Sequence, residues 1–288
     1  MDEKDIIKFL EAQVKKSGFS LENSVKEILK THYKIHREVP YFDRDELKGR
    51  SVDMVASAFI PDKSHIDNSR VWHIGQLNLV IECKNIPGNV WVFSEEPTPG
   101  LGVPELVSIT SSIKKDPANG FSPTWVIKEI PYVAGYDEYV FDPKKSNTRP
   151  KKEPKNLYGA IVSVTKALKD RKVQLEKLFG KLRYWNPSKQ NYILHFAFFQ
   201  ALIIFTGKIF ISRMEGSNTK FEPVKYVQMT KQYVSKDYDE TLGEIHIVSF
   251  DALEEYLSLI RKYYWIGTKL IIEKQDELKK AKDNLNGL

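Results

Sequence analysis

Cysteine is nearly absent from this 288-residue chain: Cys83 stands alone. That excludes an intramolecular disulfide and a cysteine-built zinc site, and a reducing cytoplasm is the simpler expectation. Long apolar runs are lacking too. The richest, Ile193 to Phe205, is interrupted by His195 and Gln200 and is too short to span a bilayer. The start, Met1-Asp2-Glu3-Lys4-Asp5, has no secretory pattern. A soluble cytoplasmic protein with no membrane partner is therefore expected. No P-loop and no Gly-x-Ser-x-Gly elbow is present. Gly100-Leu101-Gly102 lacks the strand–helix setting and the further glycine of a dinucleotide loop. His32 and His36 stand four apart, but the glutamate of a zinc-protease helix is missing between them. No internal repeat is visible.

What the chain does contain is enough apolar material for a packed core, 41% of residues. Lys and Arg number 44 against 38 Asp and Glu, a formal net charge of +6. That excess is compatible with a polyanionic partner, and many soluble proteins carry a similar one.

Periodicity divides the chain. Residues 3–16 have helical spacing and stop at Gly18. Ser20 is the expected N-cap of a second helix over 21–32, with Leu21, Val25, Ile28 and Leu29 on its apolar side and Glu22 in its first turn. Strands are expected over 34–42, 50–60 and 75–84, with 61–69 as a turn region. Residues 86–156 change character. Prolines and glycines break them up, yet Trp91, Phe93, Trp125, Tyr132, Tyr136, Tyr139 and Phe141 argue for order. This stretch reads as an insertion within one 1–288 domain, ending in a basic run over 143–155. A helix is expected over 157–179, closed by Gly180, with Lys166, Lys169, Arg171, Lys172 and Lys177 on a basic side. Strands over 192–205, 208–214, 225–229 and 244–250 and a long helix from Asp251 to Leu278 complete the chain. The order predicts a mixed α/β domain, a central sheet flanked by helices.

Chemistry concentrates in two short strings. Asp53 interrupts the apolar run Val52 to Ala56. Glu82 follows Leu79-Val80-Ile81, and Lys84 stands two residues on. On a strand, residues i and i+2 share a face, so Glu82 and Lys84 should project together with Cys83 turned away. An acid at a buried strand end is costly unless paired or bound to a cation. Bland readings are open for each residue. Asp53 can pair with Arg50 or Lys84. Glu82 and Lys84 can form an ordinary ion pair. Glu22 is favourable in a first helical turn for dipole reasons alone, and Glu27 is its less favoured substitute. The basic run and the basic helix side can be solvated surface, and the insertion's aromatics can form a small core rather than stack bases.

Asp53 on the second strand, Glu82-Cys83-Lys84 on the third and the preceding segment Gly18-Phe19-Ser20-Leu21-Glu22 resemble the PD-(D/E)xK nuclease superfamily. The likeness covers residues 18–85 and resumes with the helix at 157–179. Val52 stands where the family's name has proline. The resemblance implies a restriction-endonuclease-like core with a large insertion after its third strand. It implies that Asp53 and Glu82 ligate Mg²⁺ or Mn²⁺, that the Cys83 backbone carbonyl completes the protein ligands, and that Glu22 binds a second metal or a metal water. Lys84 would orient the attacking water or face the scissile phosphate. The implied activity is metal-dependent hydrolysis of nucleic acid, DNA ahead of RNA, of restriction or defence type, with a homodimer suited to double-strand cleavage. The alternative is a catalytically inactive nucleic-acid-binding or interaction module of the same fold.

Overall fold

A computed structural model describes residues 2–60, 71–86, 88–96, 105–110, 127, 129–140, 155–182, 192–233 and 241–286. The expected turn at 61–69, the basic run as far as Pro154, Trp125 and Phe141 lie outside the described residues.

Helices α1 (Glu3–Lys16) and α2 (Gly18–Leu29) precede a hairpin of β1 (Lys34–Asp43) and β2 (Lys48–Ile60), and then β3 (Val71–Lys84). Strands β4 (Asn89–Glu95), β5 (Glu105–Thr110) and β6 (Val133–Val140) lead to α3 (Lys155–Leu182). The C-terminal half holds β7 (Tyr192–Phe205), β8 (Lys208–Glu215), β9 (Asn218–Val224), β10 (Tyr226–Tyr233), β11 (Thr241–Ser249) and α4 (Leu253–Asn286). No helix among the described residues is long and apolar enough to cross a membrane.

The central sheet is mixed and runs β1-β2-β3-β7-β11-β10, with β5 also pairing β7. Its axis is the parallel pair β3–β7, in register from Val71↔Tyr192 to Lys84↔Phe205. Such a pair is buried on both faces, which is why these strands read as near-continuous apolar runs. One face packs Val80, Ala201, Ile203 and Phe205 against Leu157, Ile161, Val164 and Leu168 of α3. The other packs Leu79, Ile81, Leu202 and Ile204 against Leu21, Val25 and Leu29 of α2 and Leu253, Tyr256 and Ile260 of α4. The result is three layers, helix–sheet–helix, around two cores.

A second sheet, β6-β4-β8-β9, joins both halves of the sequence. The stretch read as an insertion is woven into the fold: β4 pairs in parallel with β8, and β5 pairs with β7. Its aromatics Trp91 and Phe93 are fully buried, and Trp91 stacks flat on Phe205 with ring centroids 3.7 Å apart. They are core. The chain passes from one sheet to the other at Gly207, where a Cβ would meet the Asn89 carbonyl oxygen at 2.2 Å. Only glycine fits that crossing.

Several boundaries depart from the expected ones: the last helix runs on to Asn286, and β3 and β11 start earlier, at Val71 and Thr241. The N-cap of α2 is Ser17 rather than Ser20, and Gly18 opens that helix instead of closing the previous one. Ser17 makes no side-chain cap bond to α2; its Oγ donates instead to the Val14 carbonyl at the end of α1, at 2.9 Å. Gly180 does not close α3, which continues to Leu182. A glycine inside a helix costs about 1 kcal/mol, too little by itself to end one.

Candidate active site

Strand β3 carries two of the singled-out side chains to the α3 face of the sheet. Val80 packs in the α3 core, and Glu82, two residues on, is buried beside it. Its Oε2 accepts a hydrogen bond from Ser163 Oγ of α3 at 3.2 Å, and its Oε1 accepts one from Lys84 Nζ at 2.8 Å. Cys83 turns the opposite way into the α2/α4 core. Burial pushes its thiol well above the ordinary range, with the nearby Asp53 carboxylate adding to the shift, so it is inert. The end of β3 is pinned in place: Thr206 N donates to the Lys84 carbonyl at 3.2 Å, and Ile86 N donates to Thr206 Oγ1 at 3.1 Å.

Asp53 reaches the same corner from β2. The β2–β3 ladder ends at Met54↔Ile81, and Asp53 is the next residue out. Its Oδ2 accepts the backbone N–H of Cys83 at 2.6 Å, bridging the gap that opens between the strands. Burial first, then the Glu82 charge, push the Asp53 carboxyl up to about 6 from 3.8, and Glu22 adds to the rise. The Cys83 amide and Lys84 oppose it. Arg50, the partner considered from sequence, pairs with Asp43 instead.

Glu22 is not in the first turn of α2, because that helix begins at Gly18. The dipole reading of Glu22 therefore falls. Its Oε2 accepts from Arg37 Nη2 at 2.8 Å, while Arg37 Nη1 donates to Asn23 Oδ1 at 2.9 Å and the guanidinium lies over the Phe19 ring. Glu22 thus touches Asp53 through its field but is held by β1. Glu27 pairs with Lys30 on the exposed side of α2.

The basic side expected of α3 is in part interior. Lys166 is buried and pairs with Asp43 at 2.7 Å and Asp45 at 2.9 Å. A stripe containing Ala160, Ile161, Val164, Ala167 and Leu168 faces the sheet, and Lys166 lies close enough to that face to be drawn under it. Ser163 and Tyr41 were not singled out from sequence. The Tyr41 hydroxyl is hydrogen-bonded to Ser163 and is pushed up by burial, with the Glu82 charge contributing. The one available signal for Ser163 was a hydroxyl next to the apolar stripe of α3.

Among the described residues, no three acids, histidines or cysteines are set to cage a metal ion. A hard divalent cation such as Mg²⁺ needs less, since one or two carboxylates with waters suffice. Asp53 and Glu82 fit that demand by chemistry: oxygen donors only, from adjacent strands, with the Asp53 pKa raised by burial first and by the Glu82 charge second. A cavity of about 920 Å³ lies elsewhere. It runs between α2 and α4 over Ala58, Phe59 and Leu77, and its rim mixes Arg261 and Lys262 with Glu27 and Glu254. No family model, curated protein or solved structure matches this chain.

Proposed function

We propose that this protein is a metal-dependent nuclease that hydrolyses phosphodiester bonds of nucleic acid, DNA in the first place. One observation carries the reading: Asp53 stands on the strand beside Glu82, which holds Lys84, and burial first, then the Glu82 charge, lift the Asp53 carboxyl to about 6. Glu82 already has a cation in Lys84, whereas Asp53 is held by a backbone amide, so the two acids together would gain from a second cation.

Asp53 and Glu82 would hold the Mg²⁺ or Mn²⁺, with the Cys83 carbonyl as the proposed further ligand and Glu22 as the accessory acid. The ion would supply Lewis acidity at a phosphoryl oxygen and lower the pKa of a bound water. The chain's own groups do the rest. Glu82 Oε1 orients the Lys84 ammonium, which is about a quarter exposed at the end of β3 and can face a phosphate there. Ser163 fixes the second oxygen of Glu82, so that carboxylate is oriented before any ligand arrives. The Cys83 amide fixes Asp53 in the same way.

The test incubates the purified protein with plasmid, linear and single-stranded DNA and with RNA, with Mg²⁺ or Mn²⁺, beside Asp53→Ala. Cation-dependent cleavage by the wild type alone is expected. Equal cleavage by the variant, or none by either, would sink the reading. A second reading has its own observation: both Glu82 oxygens are already hydrogen-bonded. A binding module that has lost turnover would retain nucleic acid and show no Mn²⁺ heat in calorimetry.

A further inference from the structure

Strands β1 and β2 pair in constant register, Arg37↔Met54 and then Val39↔Val52, and the ladder skips the pair between them, Glu38 and Asp53. In a regular strand, side chains two residues apart share a face. Here they do not. Met54 packs in the α2/α4 core and Val52 in the α3 core. On β1, Arg37 reaches Glu22 and Asn23 of α2, whereas Val39 packs in the α3 core. Both strands therefore turn over at the same rung.

The backbone supplies the means. Glu38 has φ +46°, in the left-handed region that side chains other than glycine rarely adopt. Its side chain is exposed, so neither burial nor a core contact explains the conformation. What it accomplishes is visible on the partner strand. A side chain on a regular pleat stands roughly perpendicular to the sheet and points away from the in-plane amides of its neighbour. Asp53 nevertheless accepts the in-plane amide of Cys83 at 2.6 Å. The rung at which β1 and β2 turn over tips Asp53 into the gap beyond Met54↔Ile81 and towards Glu82.

We propose that Glu38 is a positioning residue, whose left-handed backbone, rather than its carboxylate, crimps the β1–β2 ladder and aims Asp53 at the end of β3. The consequence for cleavage rests on the nuclease reading; the aim of Asp53 does not.

The test compares Glu38→Gly, Glu38→Asn, Glu38→Ala and Glu38→Val in the full chain. The readouts are hydrogen-exchange protection of the Cys83 amide, Mn²⁺ affinity by calorimetry and DNA cleavage. Glycine and asparagine tolerate the left-handed region, so both variants should stay within about twofold of wild type in all three. Valine does not tolerate it, and should lose roughly tenfold in Cys83 protection and in Mn²⁺ affinity. Should Glu38→Val fail to fold, alanine against glycine decides, with alanine the lower by about threefold. Equal losses in the glycine and valine variants would overturn the proposal, because the carboxylate would then be the acting group. Full protection in the valine variant, or alanine equal to glycine, would overturn it as well. If Cys83 protection follows the expected series while no protein cleaves or binds Mn²⁺, the positioning role stands and the nuclease reading falls.

Discussion

Two aspartates of one hairpin, ten residues apart, meet opposite fates. Asp43, at the end of β1, is almost completely buried and fully served. Its Oδ1 accepts from Lys166 Nζ at 2.7 Å and from the Asp45 amide at 3.1 Å, and its Oδ2 faces Arg50 Nε at 3.1 Å. Asp53, on β2, is less buried and worse served, with one backbone amide and a share in Lys84 against the charges of Glu82 and Glu22. The first arrangement spends cations to hold a turn under α3. The second leaves negative charge over, which is useful only where a cation or a proton is to be bound. Burial alone would have ranked Asp43 as the more suspicious residue; the balance of charge around each reverses that ranking.

The sharpest way to break the comparison is to strip the served corner. Asp43→Ala takes from the buried Lys166 the nearer of its two carboxylate partners, Asp43 and Asp45. Removing one member of a buried pair costs about 3–5 kcal/mol, and chemical denaturation should show a loss of that order. A loss under about 1 kcal/mol would mean that the corner is not structural.

In the other corner, Glu82→Gln should fold normally while cleavage falls by about a hundredfold or more, since a metal-holding charge is lost and the amide can still accept from Lys84. Circular dichroism beside a plasmid assay checks both halves. A proportionate loss of fold and cleavage would erase the contrast with Asp43.

A smaller effect has the opposite sign. The folded-state pKa of Asp53 is raised from 3.8 to about 6, so the folded chain holds the extra proton across that window. Stability from this group is therefore present at low pH, is lost as pH rises from about 4 to about 6, and stays lost above it. Asp53→Asn should then be more stable than wild type at pH 8, by about 1–2 kcal/mol after discounting for partial exposure, with the gain vanishing near pH 4. Melting curves at the two pH values decide it, and saturating Mn²⁺ should stabilise the wild type but not the variant.

The smallest expected change is at Glu22. Glu22→Gln keeps an acceptor for Arg37, so stability should move by no more than about 0.5 kcal/mol. Mn²⁺ affinity should fall by about tenfold if the accessory role holds. An unchanged affinity would confine Glu22 to holding β1.

Much of the central corner was legible because local rules govern it. An apolar run that turns polar at Glu82 marks a strand leaving the core, and the i, i+2 rule puts Lys84 on the same face. Asp53 stood out against Val52, Met54 and Val55 for the same reason. The unread parts depend on distant partners. Ser163 meets Glu82 only once α3 lies across the sheet, 81 residues later. Strand β4 pairs with β6 directly, but its other edge is covered only by β8, more than a hundred residues later. The left-handed turn at Glu38 has no residue signature, since glutamate is a poor choice for it. The start of α2 was misplaced because Ser17 and Ser20 are equivalent as caps by composition.

The pairing of β3 with β7 sets a timetable. During synthesis, the strand bearing Glu82 and Lys84 leaves the ribosome more than a hundred residues before Tyr192 to Phe205, the strand that must lie beside it. Thr206, which pins the Lys84 carbonyl, comes later still. Contacts this far apart in sequence form slowly, and their closure entropy is met only when the whole sheet condenses. A nascent or prematurely ended chain thus carries both acids without the frame that makes them a pair. Whatever chemistry the corner performs is withheld until the C-terminal half has been made.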